Sequence, residues 1–440
     1  MIIRPNSNIM KGAYVTSPMN GAADMPWMYT SPRDEYLACR RSAWLGVNLN
    51  LSPVFDISGP DAAAFLEQTC TNTNFAKMTV GQSKHALVCN EAGHLLADGV
   101  IMKKENCYRT YWLAPLIQYY MMKSGLNVTG EYVQDEYFFQ IDGPKSLEIL
   151  EDACQCDLHD IRFAKNKTVR ICDSDMTVHR LGMSGALAYE VHGDAKYAEA
   201  VYDKICESLF KYDGRRQGAY NYSVVNHTPG GYPNQNMHFY YAYFTSGDAD
   251  LADFAKKYCM LFPLIGSASV DPVFCEVTPY DIGWGNLVSF KHDFMGKEAL
   301  MELKDKAPRK PVTLEWNTED VGDVFMSQFR GQGVEPYDKL DCSTGLDSLE
   351  TFGVRCDYVQ ADGKNIGYAA GRCYAYYERR MVSLAFIEPE YAVEGKELII
   401  KWGNPGSPVK DIRATVAQFP YYNGEYRNET FDVENIPRKF

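Results

Sequence analysis

Phe55-Asp56-Ile57-Ser58-Gly59-Pro60 and Phe139-Gln140-Ile141-Asp142-Gly143-Pro144 are one pattern met twice, each running into a helical stretch that ends in cysteine. Over residues 55–70 and 139–154, Phe, Ile, Gly, Pro, Leu, Glu and Cys recur in the same order, seven identities in sixteen positions and too many for chance. In each copy an alternating strand stops at a Gly-Pro turn, and the proline is pre-set for the first turn of the helix. A repeated strand–turn–helix predicts an α+β architecture with helices packed on one face of each sheet. Two copies are too few for a solenoid, so the pattern predicts a duplicated subdomain.

The remaining elements fit around these units. Residues 1–32 read as an irregular arm, Arg33 to Trp44 as a helix and Val47 to Ile57 as a strand. Between the copies, His85 to Asn90, Leu95 to Lys104 and Cys107 to Leu113 are strand-like, and Leu116 to Ser124 is helical. Asp98 lies within the apolar strand that follows the turn Glu91-Ala92-Gly93-His94. Strands around 168–192 and a helix from Ala195 to Lys211 follow the second copy. The charged, twice-proline segment Glu302 to Pro311 is the linker expected to divide a region 1–310 from a domain 311–440. In that second domain Val312–Trp316, Ile366–Tyr377, Arg380–Ile387, Glu397–Trp402 and Ile412–Ala417 alternate as strands with few helical signals, predicting a β-barrel or sandwich.

Composition narrows the partners. A formal net charge of −13 with no basic run argues against nucleic acid and anionic membranes. The N-terminal Met1-Ile2-Ile3-Arg4-Pro5-Asn6 has no apolar core of a signal peptide, and no apolar run is long enough to span a bilayer, so a cytoplasmic protein is expected. Thirteen irregularly spaced cysteines suit reduced thiols, and neither they nor the eight histidines show a metal-ligand spacing; no metal is expected. A monomer or weak homo-oligomer is expected.

Leu181 to Gly193 holds the first chemical candidate. Glycines at 182 and 185 flank a polar turn that enters a buried strand, and Glu190 sits near that strand's end between Tyr189 and Val191. The carboxylate either faces solvent or grips an amidine-like ligand edge through two parallel hydrogen bonds. Residues 214–248 are loop-like and crowded with rings: Tyr220, Tyr222, Tyr232, Tyr240, Tyr241, Tyr243 and Phe244. They either line a cleft for a flat ligand or fold over a core edge.

Phe290-Lys291-His292-Asp293-Phe294-Met295-Gly296-Lys297-Glu298-Ala299-Leu300 resembles the segment closing the folate-binding part of the glycine-cleavage T-protein (aminomethyltransferase) family. Ala97-Asp98-Gly99-Val100-Ile101, Gln140 to Lys145, Gly218-Ala219-Tyr220 and Tyr280-Asp281-Ile282-Gly283-Trp284-Gly285 fall in the family's order, so the resemblance covers nearly the whole chain. It is nearest to the tetrahydrofolate-dependent O-demethylases of vanillate, syringate and similar methoxy-aromatics. The resemblance implies a three-lobed fold with folate in the central opening and a C-terminal β-barrel. It implies that Glu190 holds the amino-pyrimidine edge of the pterin, with Gln140, Tyr189 and Tyr232 on the cofactor side. It also implies that Tyr220 is the catalytic residue, with Asp98 orienting the pterin or Tyr220, or else capping a turn.

The departures from the family bear on the substrate. The T-protein Gly-Ala-Arg is here Gly218-Ala219-Tyr220, and its paired aspartates are reduced to Ala97-Asp98, which argues against aminomethyl transfer. At positions where the vanillate enzymes contact substrate stand Asn48, Leu51 and Leu113, the last replacing a carboxylate-binding arginine; Tyr243 is a further candidate wall. The expected activity is transfer of a methyl group from a methoxy-aromatic, neutral or differently charged from vanillate, to N5 of tetrahydrofolate. A sulfonium demethylase, an aminomethyltransferase and a non-catalytic folate-binding protein are the alternatives.

Overall fold

The computed structural model describes residues 7–13, 15–19, 23–47, 53–222, 227–235, 237–259, 261–340 and 353–438. Asn48 and Leu51 lie outside the described residues. The chain builds two α+β units and a β-barrel. The first unit is a five-stranded antiparallel sheet in the order Ser83–Cys89, Leu95–Lys103, Tyr108–Tyr111, Val54–Ser58, Thr129–Val133. The second has six strands in the order Asn166–Ile171, Ser174–His179, Ala188–Asp194, Glu136–Asp142, Trp44–Val47, Arg215–Gln217, antiparallel except for the last pair.

The duplicated units are central strands of these two sheets, each followed by its helix, Ala62–Thr69 and Ser146–Cys154. Gly59 and Gly143 both take positive φ, +113° and +137°. A Cβ on Gly143 would lie 2.3 Å from the Ser42 carbonyl oxygen, and one on Gly59 would lie 2.6 Å from that of Asn127. The shared glutamate also serves one purpose twice. Glu67 accepts the Phe75 amide, and Glu151 accepts the Leu158 amide, so each holds the chain that leaves its helix. Gly143→Ala is therefore expected to cost about 2–3 kcal/mol, from backbone strain and a contact with backbone that cannot give way. An unchanged urea midpoint would refute this.

The expected single strand from Val47 to Ile57 is instead two, Trp44–Val47 and Val54–Ser58, in different sheets. Pro53 stands at the entry to the second, where its missing N–H suits the first position of a strand and no ladder interior. In the C-terminal part, six strands close into a barrel in the order Val354–Ala361, Lys364–Ala375, Arg380–Ile387, Lys310–Trp316, Lys410–Ala417, Glu397–Trp402, the last pairing back to the first. Two barrel elements were not foreseen: the strand Val354–Ala361 and the helix Thr318–Ser327, capped by the Asn317 side chain on the amides of Glu319 and Asp320. The short strand Leu264–Ile265, from before the linker, adds to the barrel sheet beside Val354.

The three modules pack pairwise. Phe138 of the second sheet lies against Tyr111 of the first, 5.6 Å between ring centres. Leu87, Cys89 and Leu95 of the first unit share a core with Val354, Tyr368 and Phe386 of the barrel. Trp44 and Ala186 of the second unit share another with Cys373, Ala375 and Val382. Beyond the barrel the chain returns to the second unit. Asn428 donates to the Ala188 carbonyl, Arg180 donates to the Asn428 and Phe431 carbonyls, and Val433 and Ile436 enter that unit's core. Among the described residues no helix is long and apolar enough to cross a membrane.

Candidate active site

Cross-strand register, which alternation alone does not reveal, lines up one polar row. Gln217 pairs with Gly46, Gly46 with Gln140, Gln140 with Glu190, and Glu190 with His179. Directly paired residues point to one face of a sheet, so the row reads amide, gap, amide, carboxylate, imidazole. Asp142 and His192, two residues along from Gln140 and Glu190, share this face. Gly182 lets the preceding loop lie flat on it: a Cβ there would come within 2.3 Å of the Ala188 Cβ and 3.0 Å of the Gln140 amide nitrogen.

Glu190 is buried, at 6% exposure. His179 Nδ1 lies 3.2 Å from its Oε2, and His192 Nε2 lies 3.7 Å from the same oxygen. Burial alone would raise its pKa, but the two imidazoles outweigh burial and hold the carboxyl down at about 2. It is therefore an anion, the form that accepts two parallel N–H bonds. Among the described residues, Gln140 Oε1 and both amide atoms of Gln217 are buried without a protein partner. Unpaired buried amides are costly unless a ligand answers them. A flat heterocycle with an amino-amide edge, such as a pterin, fits this row: two donors for Glu190, and further polar edge atoms for Gln140 and Gln217.

Asp142 sits beside Gln140, which donates to both of its carboxylate oxygens at 3.0 and 3.1 Å. Burial pushes its pKa up to about 7, against the opposing pull of Gln140, Ser184 and Trp44. An acid whose pKa is raised on folding supports the fold fully below its unfolded value of about 3.8. That support is lost as pH rises through 7. Asp142→Asn removes the ionisation. It is expected to stabilise the protein more at pH 8 than at pH 5, by about 2–3 kcal/mol in urea melts at the two pH values. An equal effect at both would contradict this.

Asp98 stands on the facing sheet. It shares a face of its strand with Val100 and Met102, whose side chains pack with Tyr111 and Phe138 between the sheets. Its Oδ2 lies 2.9 Å from His85 Nε2, and the His85 ring stands edge-on to Trp284 at 4.6 Å. Asp98 is thus paired across strands and does not cap the 91–94 turn.

Tyr220 is buried where the second unit meets the barrel, edge-on to Trp27 at 5.8 Å and clustered with Trp44, Ala186 and Ala375. Glu35 fixes the segment that carries it. The Glu35 carboxylate accepts the Gly218 amide and the Asn221 side chain through one oxygen, and the Tyr29 and Thr30 amides through the other. Burial raises the Glu35 pKa, partly offset by these donors.

Other expected residues lie elsewhere. Tyr189 points away from Glu190 into the second unit's core, as alternation requires. Leu113 and Tyr243 belong to the core of the first unit, Tyr243 stacked on Tyr241 at 5.2 Å. Tyr232 lies under the guanidinium of Arg427, 5.2 Å away. Residues not foreseen at the site are Gln217, Asp142, His179, His192 and Glu35. The spacing His179…Glu190…His192 held a signal only for a reader who knew the hairpin's register.

The chain is similar to known proteins along nearly its whole length. Residues 9–225 match the family model described as GCVT N-terminal domain. The chain is 42% identical over 432 residues to the sesamin methylene transferase of a Sinomonas species, covering 94% of each chain. It is 28% identical to the syringate O-demethylase of a Sphingobium species, covering 90% of each, and 25% identical to the aminomethyltransferase of Thermotoga maritima, covering 92% and 93%. The crystal structure of the glycine cleavage system aminomethyltransferase T from Bartonella henselae has the same fold, with a TM-score of 0.66 at 16% identity over 95% and 96% of the two chains. With a relative 42% identical over nearly its full length and the match to the family model, the chain belongs to the GCVT family of tetrahydrofolate-dependent one-carbon transferases.

Proposed function

We propose that this protein moves a one-carbon unit from a neutral aryl ether to tetrahydrofolate, releasing a phenol. The observation that carries the reading is the Gln217–Gly46–Gln140–Glu190–His179 row, an ionised carboxylate among unanswered amides that suits a pterin edge. When bound, tetrahydrofolate supplies N5 as the nucleophile. Glu190 and Gln140 orient the ring, and Asp98, on the facing sheet with His85, bounds the opposite side.

The leaving group is a phenolate whose conjugate acid has a pKa of about 10, nearly that of a tyrosine hydroxyl. Tyr220 donates its proton to that oxygen with little mismatch, which is general acid catalysis worth roughly a hundred- to ten-thousand-fold. Substrate charge is argued from the cations. Leu113 occupies apolar core, and Arg109 is committed bidentately to Asp56 and, at 2.8 Å, to Glu136. An aryl carboxylate would find no partner there and would lose several kcal/mol on burial.

Two donors fit this chemistry: a methoxy group, as in O-demethylation, and a methylene bridging two phenolic oxygens. The 28% identical O-demethylase supports the first, and the 42% identical methylene transferase favours the second. A sulfonium donor is disfavoured because its neutral thioether leaving group needs no proton from Tyr220. Incubation with tetrahydrofolate and a panel of guaiacol-type and methylenedioxy-arenes, followed by mass analysis of the folate, tests the proposal. 5-Methyl- or 5,10-methylenetetrahydrofolate with a matching phenol is the expected product. No folate product from either class, or a tenfold preference for vanillate over guaiacol, would overturn the corresponding part.

A further inference from the structure

His179, Glu190 and His192 sit on adjacent strands, and one ligand atom from each lies within 4.8 Å of the other two. All three are buried, His192 at 1% exposure. One distance asks for more than hydrogen bonding. His192 Nε2 is 3.7 Å from Glu190 Oε2, beyond hydrogen-bond range, and neither ring nitrogen of this buried imidazole has a hydrogen-bond partner among the described residues. Ligands of one tetrahedral zinc ion, each about 2.0–2.2 Å from it, stand about 3.3 Å apart. The observed 3.2 and 3.7 Å bracket that value.

The outer contacts fit as well. Ser83 Oγ donates to the Ala164 carbonyl at 3.0 Å and lies 2.7 Å from His179 Nε2. In the metal-free chain Nδ1–H donates to the Glu190 carboxylate; on taking a metal Nδ1 gives up that proton to become the ligand, and Nε2–H donates to Ser83, whose own proton is spent on Ala164. A metal-bound histidine shows this pattern, its far nitrogen tied to a fixed acceptor. His192 also lines a cavity of about 650 Å³ whose rim carries Asp135, Asp175 and Asp194 together with Lys104, Arg109, Arg170 and Lys196.

We propose that His179, Glu190 and His192 form a site for a single divalent transition metal, Zn²⁺ being the best match to two imidazoles and a carboxylate with a fourth position open. The site engages the carboxylate assigned above to the pterin, so metal and tetrahydrofolate compete for Glu190; that consequence rests on the proposed function, whereas metal binding does not. The site is then a point of inhibition by zinc and not a catalytic centre.

The test is titration of the chelator-stripped full chain with Co²⁺ and Zn²⁺, followed calorimetrically and, for Co²⁺, by visible absorption. One equivalent is expected at micromolar or tighter affinity, without the thiolate charge-transfer band that a cysteine site would give. His192→Asn and His179→Gln, each checked for a wild-type circular dichroism spectrum, should weaken binding at least tenfold; either variant suffices if the other fails to fold. Absence of binding by wild type, or binding unchanged in a folded variant, overturns the site. Release of the metal on adding tetrahydrofolate is the expected competition. Metal bound through these histidines but indifferent to tetrahydrofolate would leave the metal site standing and remove Glu190 from the pterin site.

Discussion

Glu190→Gln is expected to raise the dissociation constant for tetrahydrofolate about a hundredfold or more while leaving the fold intact. The wild-type carboxylate is held ionised, near pKa 2, by the two imidazoles beside it. Each hydrogen bond to a charged acceptor is worth about 1.5–3 kcal/mol, and two such bonds exceed the roughly 2.7 kcal/mol that a hundredfold change requires. The glutamine amide also turns one acceptor into a donor and so faces a pterin N–H with an N–H of its own. Its remaining oxygen still accepts from His179, so a folding defect is not expected. Calorimetric titration checks this directly: wild-type affinity in the variant would take Glu190 out of the site.

Tyr220→Phe should lower the rate of one-carbon transfer by at least about a hundredfold with folate affinity little changed. The ring is packed edge-on to Trp27 and within the aromatic cluster at the barrel, so phenylalanine keeps the contacts and loses only the hydroxyl. The segment itself remains tied by Glu35 to the Gly218 amide. Single-turnover kinetics separate the chemical step from binding. A rate within a few-fold of wild type would remove the acid role and favour a donor whose leaving group needs no proton.

Much of this architecture was legible because the strongest signals are local. Gly59-Pro60 and Gly143-Pro144 mark strand ends by a backbone requirement that few other residues meet, and five barrel strands alternate plainly. The strand Val354–Ala361 escaped notice because Arg355 and Asp357 break its apolar look. In the structure the two neutralise each other at 2.9 Å, and Arg355 lies 3.5 Å over the Trp402 ring. The helix Thr318–Ser327 did carry its signal, an Asn cap before two acidic residues, but in a stretch otherwise rich in strands. At the site, Glu190 and Gln140 stood out through the resemblance. Gln217, His179 and His192 did not: Gln217 arrives through strands distant in sequence, and the two histidines only through the register of the hairpin that carries Glu190. Tyr189 was expected on the cofactor side through the same resemblance, but a strand sends neighbours such as Tyr189 and Glu190 to opposite faces.

The returning segment from Asn428 to Ile436 sets a schedule on biosynthesis. The strand that presents Glu190 is complete in sequence by residue 194, yet the carbonyl of Ala188 and the guanidinium of Arg180 await Asn428 and Phe431, and the core beneath awaits Val433 and Ile436. On the ribosome, the second unit must therefore stand unfinished while the whole barrel is translated. It is sealed only when the last of these residues has left the exit tunnel, so a nascent chain halted after the barrel would display the Glu190 strand before Asn428 and Phe431 can close over it.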